Sequence, residues 1–405
     1  MKIIILDHEP FSTRKNNHFF IQEFRNKGIE VEFWSLWKMF PYSKKINYHT
    51  ALEGQQICYI KTKRELRKKI NEIDNKNTFL FVEFWFNSQT WHVHQLLVEN
   101  KIKWGRIEYY HNPTYSFYLP QGDIATPKKW SRYKNLLANI FSLDYIKFHF
   151  LLKFDNTYIR NIMTADISFI TGENSGTFSQ AKKHTSIDYF DVETYRIEKA
   201  KTPLLNYPYT VFADIFLGKH PDLQIHHGND YMDMDEYYRK LNTFFDHLEA
   251  SLGMPVVIAA HPKSSYKDEF KGRKCIKNET ANLIINSQLV VQHASLSISY
   301  ALLAEKKVIQ FYDNSFLVNP VLNRFYHIMR NVSSQTATPC INIDEENDYK
   351  KLYAAPIQQK LYQQILSRFF TKPKEVQLTN FEIVGREIEK IMGFQFLSSM
   401  EKIDV

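Results

Sequence analysis

The sequence predicts an α/β protein made of two Rossmann-like domains facing a cleft. A chain of 405 residues is longer than one hydrophobic core usually serves. Both halves alternate short apolar runs with stretches of helical periodicity, the pattern of a parallel doubly wound sheet. Between them lies "KAKTPLLNYP", Lys199 to Pro208, an irregular stretch carrying two prolines. The expected division is 1–204 for the first domain, 205–372 for the second, and 373–405 for a terminal helix packing across both.

In the first half, "KIIIL" near the amino terminus reads as a buried strand and is too short for a secretory leader. An amphipathic helix is expected from Asn17 to Lys27, ending at Gly28, and then the strand "IEVEFWSL". A charged helix from Lys63 to Ile73 precedes the strand "TFLFVEFWF", whose end carries Glu83 and is followed by Asn87. A later strand, "ADISFITG" from Ala165 to Gly172, runs into the turn "ENSG". Between these strands, Pro127 to Arg160 interleaves basic and apolar residues, among them Lys128, Lys129, Trp130, Arg132, Lys134, Leu136 and Phe141. That composition suits either an anionic membrane surface or an interior helix pair with snorkelling basic stems.

The second half is cleaner. "YTVFADI" (Tyr209 to Ile215) is a strand, and Met232 to Leu252 is a helix closed by Gly253. "PVVIAA", "QLVVQ" and "KVIQFY" are strands alternating with helices at Thr280 to Ser287 and Ser297 to Glu305. A last helix is expected within Lys372 to Phe394.

Composition excludes several classes. The 12 Gly and 14 Pro do not indicate low complexity, and Cys58, Cys275 and Cys340 show no metal-ligand spacing. A reducing cytoplasm fits them. The one long uncharged window, Thr280 to Ala304, is too polar for a lipid span. No Gly-x-Gly-x-x-Gly or Walker sequence occurs, which speaks against dehydrogenases and kinases. A net charge of +8 and 55 Phe and Tyr residues (31 and 24) would serve an anionic-polymer binder. No RNA-recognition signature accompanies them, so no nucleic-acid partner is expected. Asp233, Asp235 and Glu236 stand at a helix start, where acids complement the helix dipole, and no metal is expected.

Open parallel sheets bind ligands beyond the carboxyl ends of their strands. Three polar clusters of the second half fall there: "DIFLGKHPD" with Asp214, "HPKSS" with His261, Pro262, Lys263 and Ser264, and "HASLS" with His293, Ser295 and Ser297. Serines before a helix suit a phosphate, and a histidine N–H can join them. A His-Pro pair ending a strand, followed some thirty residues later by a serine-rich strand-to-helix loop, resembles the donor domain of bacterial sialyltransferases and related CMP-sugar glycosyltransferases. The likeness covers Tyr207 to Phe311.

That resemblance implies the GT-B fold, a CMP-sugar donor held by the second domain, and a glycan or lipid-linked glycan acceptor facing the first. It further implies an enzyme of surface-polysaccharide synthesis with no required cofactor, while the composition of Pro127 to Arg160 leads to the expectation of a cytoplasmic protein peripheral on the inner face of the membrane. His261 would contact the donor phosphate, Ser295 and Ser297 would match the phosphate loop, and Thr280 would lie near the cytidine. The family's acidic general-base motif, two acids followed by Gly, is absent here. An acceptor hydroxyl must still lose a proton. Glu9 is ranked first for that role and Glu173 second, with Asp7, Glu83 and Asp214 as further strand-end candidates. "HNPTYSFYLP", His111 to Pro120, suits a sugar face.

Overall fold

The computed structural model describes residues 1–39, 56–109, 112–114, 143–173, 180–220, 231–372 and 378–397. Lys128, Lys129, Trp130, Arg132, Lys134, Leu136 and Phe141 lie outside the described residues, as does most of "HNPTYSFYLP".

The first domain holds a sheet of β1 (Lys2–Asp7), β2 (Glu30–Ser35), β3 (Ile57–Tyr59), β4 (Thr78–Glu83), β5 (Lys103–Glu108), β6 (Ile167–Thr171) and β7 (His184–Ile187). Their order is β3-β2-β1-β4-β5-β6-β7, and all neighbours run parallel. The second holds β8 (Thr210–Ala213), β9 (Val256–Ala260), β10 (Cys275–Lys277), β11 (Leu289–Gln292), β12 (Lys307–Tyr312) and β13 (Cys340–Asn342). Their order is β10-β9-β8-β11-β12-β13, again parallel throughout.

Parallel sheets need cover on both faces, and the alternation of side chains supplies it. Ile3 and Ile5 enter one buried cluster while Ile4 and Leu6 enter another. Phe212 and its neighbours Val211 and Ala213 divide in the same way in the second sheet. In each domain the strand order reverses beside the first strand, between β1 and β4 and between β8 and β11. Those are the topological switch points at which such sheets open a crevice. The described residues thus form two Rossmann-like domains, each with a parallel sheet.

Several elements differ from the sequence expectation. Instead of one helix from Asn17 to Lys27 there are two, Thr13–His18 and Ile21–Asn26, separated where Phe20 turns left-handed at φ 54°. β5 carries Lys, Arg and Glu and so hides its strand character, yet Arg106 and Glu108 are buried. The helix Met234–Leu252 is capped by Asp233, which accepts the Glu236 N–H at 3.0 Å, and it ends on Gly253 at φ 65°.

The chain returns to the first domain at its end. Phe370 meets Tyr189 at 5.3 Å between ring centroids, and Glu173 N–H donates to the Ser367 carbonyl at 2.8 Å. The helix Asn380–Met392 starts with a capping box at Thr379 and Glu382. Its Phe381 packs edge-on to Phe24 at 5.1 Å, and Asn380 brackets the Asp188 backbone with two hydrogen bonds. Directly between the two sheets' carboxyl edges, Asn112, after β5, donates to the Leu296 carbonyl, after β11, at 3.4 Å. The carboxyl edges of the two sheets thus meet at this contact. Behind it, Ser299 and Tyr300 hydroxyls both bind the carboxylate of Asp191.

Candidate active site

On the first-domain side an ionic cluster lies at the β1/β4 switch point. Parallel register sets Asp7 beside Glu83. Asp7 is fully buried, and Lys15, from the helix that follows β1, reaches it at 2.7 Å and Glu9 at 3.0 Å. The ring of His8 is about one-third exposed, with Nδ1 2.7 Å from the Glu83 carbonyl oxygen and 3.4 Å from Asp7 Oδ1. Two acceptors around Nδ1 fix the tautomer: Nδ1 carries the proton, and Nε2 is the basic nitrogen.

Electrostatics follow from these neighbours. Burial alone would raise the Asp7 pKa, but Lys15 and His8 together hold it below the ordinary carboxylate value. Burial opposes charge on His8, yet the hydrogen bond and charge of Asp7 outweigh it and lift His8 above 6.5. Burial also resists charge on Lys15, and Asp7, Glu83 and Glu9 overcome it to keep the ammonium firmly protonated. His18, 3.7 Å from Glu83, is pushed down to about 3 by burial and then by Lys15 and Arg14, so it stays neutral. Beside this cluster a small cavity of about 30 Å³ is lined by His8, Glu83, Trp85, Arg106 and Glu108. Arg106 is held there by His94 at 2.7 Å, and Glu108 accepts from Ser168 at 2.6 Å.

The second-domain half is organised by Asp214 at the end of β8. Its Oδ2 accepts from the His261 backbone N–H at 3.1 Å and from the Tyr266 hydroxyl at 2.6 Å, and its Oδ1 accepts from Phe216 N–H at 2.8 Å. Burial raises its pKa above the ordinary carboxylate value, against these donors. Asp214 thus ties the loop after β8 to the loop after β9. His261 Nδ1 accepts from Lys263 N–H at 3.2 Å, which assigns the ring proton to Nε2. The ring stacks over Phe216 at 6.0 Å and meets His220 edge-on at 5.0 Å. Pro262 and Lys263 are exposed, whereas the buried Ser264 spends its hydroxyl on the His261 carbonyl at 2.7 Å. These bonds make "HPKSS" a folded turn around the His261 ring.

The remaining sequence candidates are dispersed. His293 is buried among Phe212, Tyr237, Phe311 and Phe316, donates Nδ1–H to the Phe311 carbonyl at 2.7 Å, and is lowered to about 4 by burial. It is a core histidine, not a loop group. Ser295 is buried too, and its hydroxyl accepts from Ser297 N–H at 3.2 Å, while Ser297 opens the short helix Ile298–Leu303 half-buried. Thr280 begins a helix at the outer edge, two strands from β8. Glu173 is exposed after β6, three strand positions from β1, about 14 Å at the usual strand spacing. It does not join the Asp7 cluster.

Glu9 lies in the cluster but is paired with Lys15, and its carbonyl accepts the Ser35 hydroxyl at 2.9 Å. The group with a histidine's chemistry there is His8, which sequence reading passed over although it stands between the two named acids in "LDHEP". A strand-end histidine next to a carboxylate was the available signal. Tyr266 was also missed because its partner Asp214 ends another strand, and Lys15 was missed although Asp7 and Glu9 lie just before it in sequence.

No protein-family model matches the chain, and no curated protein does. Among solved structures, the spinosyn forosaminyltransferase SpnP is similar at 9% identity and a TM-score of 0.48, over 96% of this chain and 99% of that one. MurG of Acinetobacter baumannii is similar at 8% identity and 0.42, over 90% and 93%. The UDP-GlcNAc 2-epimerase of Methanocaldococcus jannaschii is similar at 10% identity and 0.45, over 97% and 100%. All three likenesses are loose.

Proposed function

We propose that the chain is an inverting glycosyltransferase that moves a sugar from a nucleotide-sugar donor to a glycan acceptor. The carrying observations are the Asp7–His8 pair at one switch point and the Asp214-anchored His261 turn at the other. In this reading His8 Nε2 takes the proton of an acceptor hydroxyl as its oxygen attacks the anomeric carbon. The bond from that carbon to the donor phosphate breaks, and the phosphate leaves with the electron pair. His261 Nε2–H stabilises the charge that develops there, and one displacement inverts the configuration. Asp7 orients His8 and supports the imidazolium, while Lys15 fixes Asp7. Trp85, 46% exposed beside His8, gives the acceptor ring an aromatic platform.

The donor is a CMP-linked nonulosonic acid, sialic acid or a relative, on the strength of the His-Pro turn. No metal is needed in this scheme. Thermal-shift titration with CMP, UDP, GDP and TDP tests the donor half, because a ligand of the native state raises its apparent stability. CMP should raise the melting midpoint, and His261→Ala should remove the shift. A shift with UDP alone moves the donor class toward UDP-sugars, where 2-epimerisation becomes the competing chemistry. No shift with any nucleotide overturns the reading.

A further inference from the structure

We propose that the helix Leu143–Phe154 lies on an anionic membrane surface beside the mouth of the cleft. Its sequence, LDYIKFHFLLKF, is apolar on every side, a pattern that ordinarily marks a buried helix. Here only part of it is covered. Phe148 turns inward, packing on Phe86 at 5.7 Å and Trp91 at 6.5 Å between ring centroids. Ile146, Phe150 and Phe154 remain 50%, 60% and 66% exposed. Spaced four residues apart, they form one stripe about 12 Å long, with Phe150 and Phe154 rings 4.6 Å apart. Leu152 adds a further exposed apolar group.

Charge selects the occupant. Exposed Lys147, Lys153 and, on the next helix, Arg160 flank the stripe. Lys147 sits over the Trp91 ring at 5.4 Å, and Lys153 over Phe154 at 5.4 Å. From Leu143 to Ala165 the acids are Asp144, at the helix start, and Asp155, whose carboxylate caps the following helix by accepting Tyr158 N–H at 3.0 Å. An aromatic and aliphatic stripe edged by cations is the composition that settles at the boundary between headgroups and acyl chains. Among the described residues no helix is long and apolar enough to cross a membrane, so the helix lies along the surface. Phe86 belongs to the loop leaving β4, whose last residue is Glu83 of the ionic cluster. The surface therefore sits next to the acceptor side. A lipid-linked glycan would arrive there, a consequence resting on the proposed transfer activity; the membrane contact itself does not.

The test is co-sedimentation of the full chain with vesicles of phosphatidylcholine alone or mixed with phosphatidylglycerol. Wild type should bind the mixed vesicles, and salt should weaken that binding. Phe150→Ser with Phe154→Ser should weaken it about tenfold or more, and Lys147→Glu with Lys153→Glu should weaken it by at least about fivefold per lysine. All four side chains are at the surface, so melting midpoints should hold; Ile146→Ser alone is the milder second variant. Absence of wild-type binding, or binding unchanged in every variant, overturns the proposal. So does a concentration-dependent dimer that the Phe150 and Phe154 changes dissolve without any vesicle binding, since the stripe would then cover a second copy of the chain. Transfer to a soluble acceptor by the variants separates this outcome from failure of the proposed activity, because none of the changed residues touches the cleft cluster.

Discussion

His8 and Asp7 show how a one-residue step along a strand end changes function. Asp7 closes β1 with its carboxylate inside the protein, and His8 is the first residue to emerge. As general base His8 must be neutral, and its pKa is raised, so activity should fall as pH drops through a value above 6.5. His8→Gln should lower kcat by about 10²–10⁴ at pH 8 while the melting midpoint holds. Asp7→Asn removes the charge that supports imidazolium and should move the acid limb of kcat/KM to lower pH. A limb that stays in place in this variant would remove Asp7 from the pair.

Among the elements, the strands missed in the sequence are the instructive ones. β1, β4, β9 and β11 are legible because they are central and apolar. β3, β10 and β13 are three-residue strands in outer positions, and too short for any periodicity. β5 failed for another reason: it is central, but its charged residues have buried partners, Arg106 with His94 and Glu108 with Ser168. Those pairings join residues from other elements and leave no local pattern. β5 also depends on Gly105, where an added Cβ would lie 2.8 Å from Ile167 Cγ2 and 3.0 Å from Phe79 Cζ. Gly105→Ala should therefore cost about 1–3 kcal/mol, read as a lower melting midpoint or denaturant midpoint. An unchanged midpoint would mean that β5 and β6 can separate freely.

At the scale of the whole molecule, the order of elements was enough to predict two parallel sheets. The division of labour in the cleft was only partly readable. The turn at His261 and its strand-end neighbour Asp214 lie in local sequence, and Lys15 meets Asp7 across one strand-to-helix turn, whereas the Tyr266 contact needs the assembled fold. The same fold buries three neutral histidines, with His18 held at about 3, His293 at about 4 and His94 well below its ordinary value, burial being the first cause in each. An unfolded chain takes up protons at these sites near pH 6.5 and the folded chain does not, so stability is present above 6.5 and is lost as pH falls. Asp191 acts the other way: burial lifts it to about 6, so the folded chain keeps that proton between about 6 and 3.8. His8 and Asp214, both raised, act in the same sense as Asp191, but from pH 7 to pH 5 the three buried histidines carry the larger shifts. Melting midpoints should fall from pH 7 to pH 5, and a flat profile would contradict the burial of these rings.

Product analysis tests the central claim most directly. The chain is incubated with a CMP-linked nonulosonic acid and a glycan acceptor, and the nucleotide and sugar are followed separately by mass spectrometry and NMR. The account predicts free CMP in step with an acceptor extended by one sugar of inverted anomeric configuration, both strongly reduced by His8→Gln and His261→Ala. A nucleotide still joined to an epimerised sugar, or transfer that persists at the wild-type rate without His8, would contradict it.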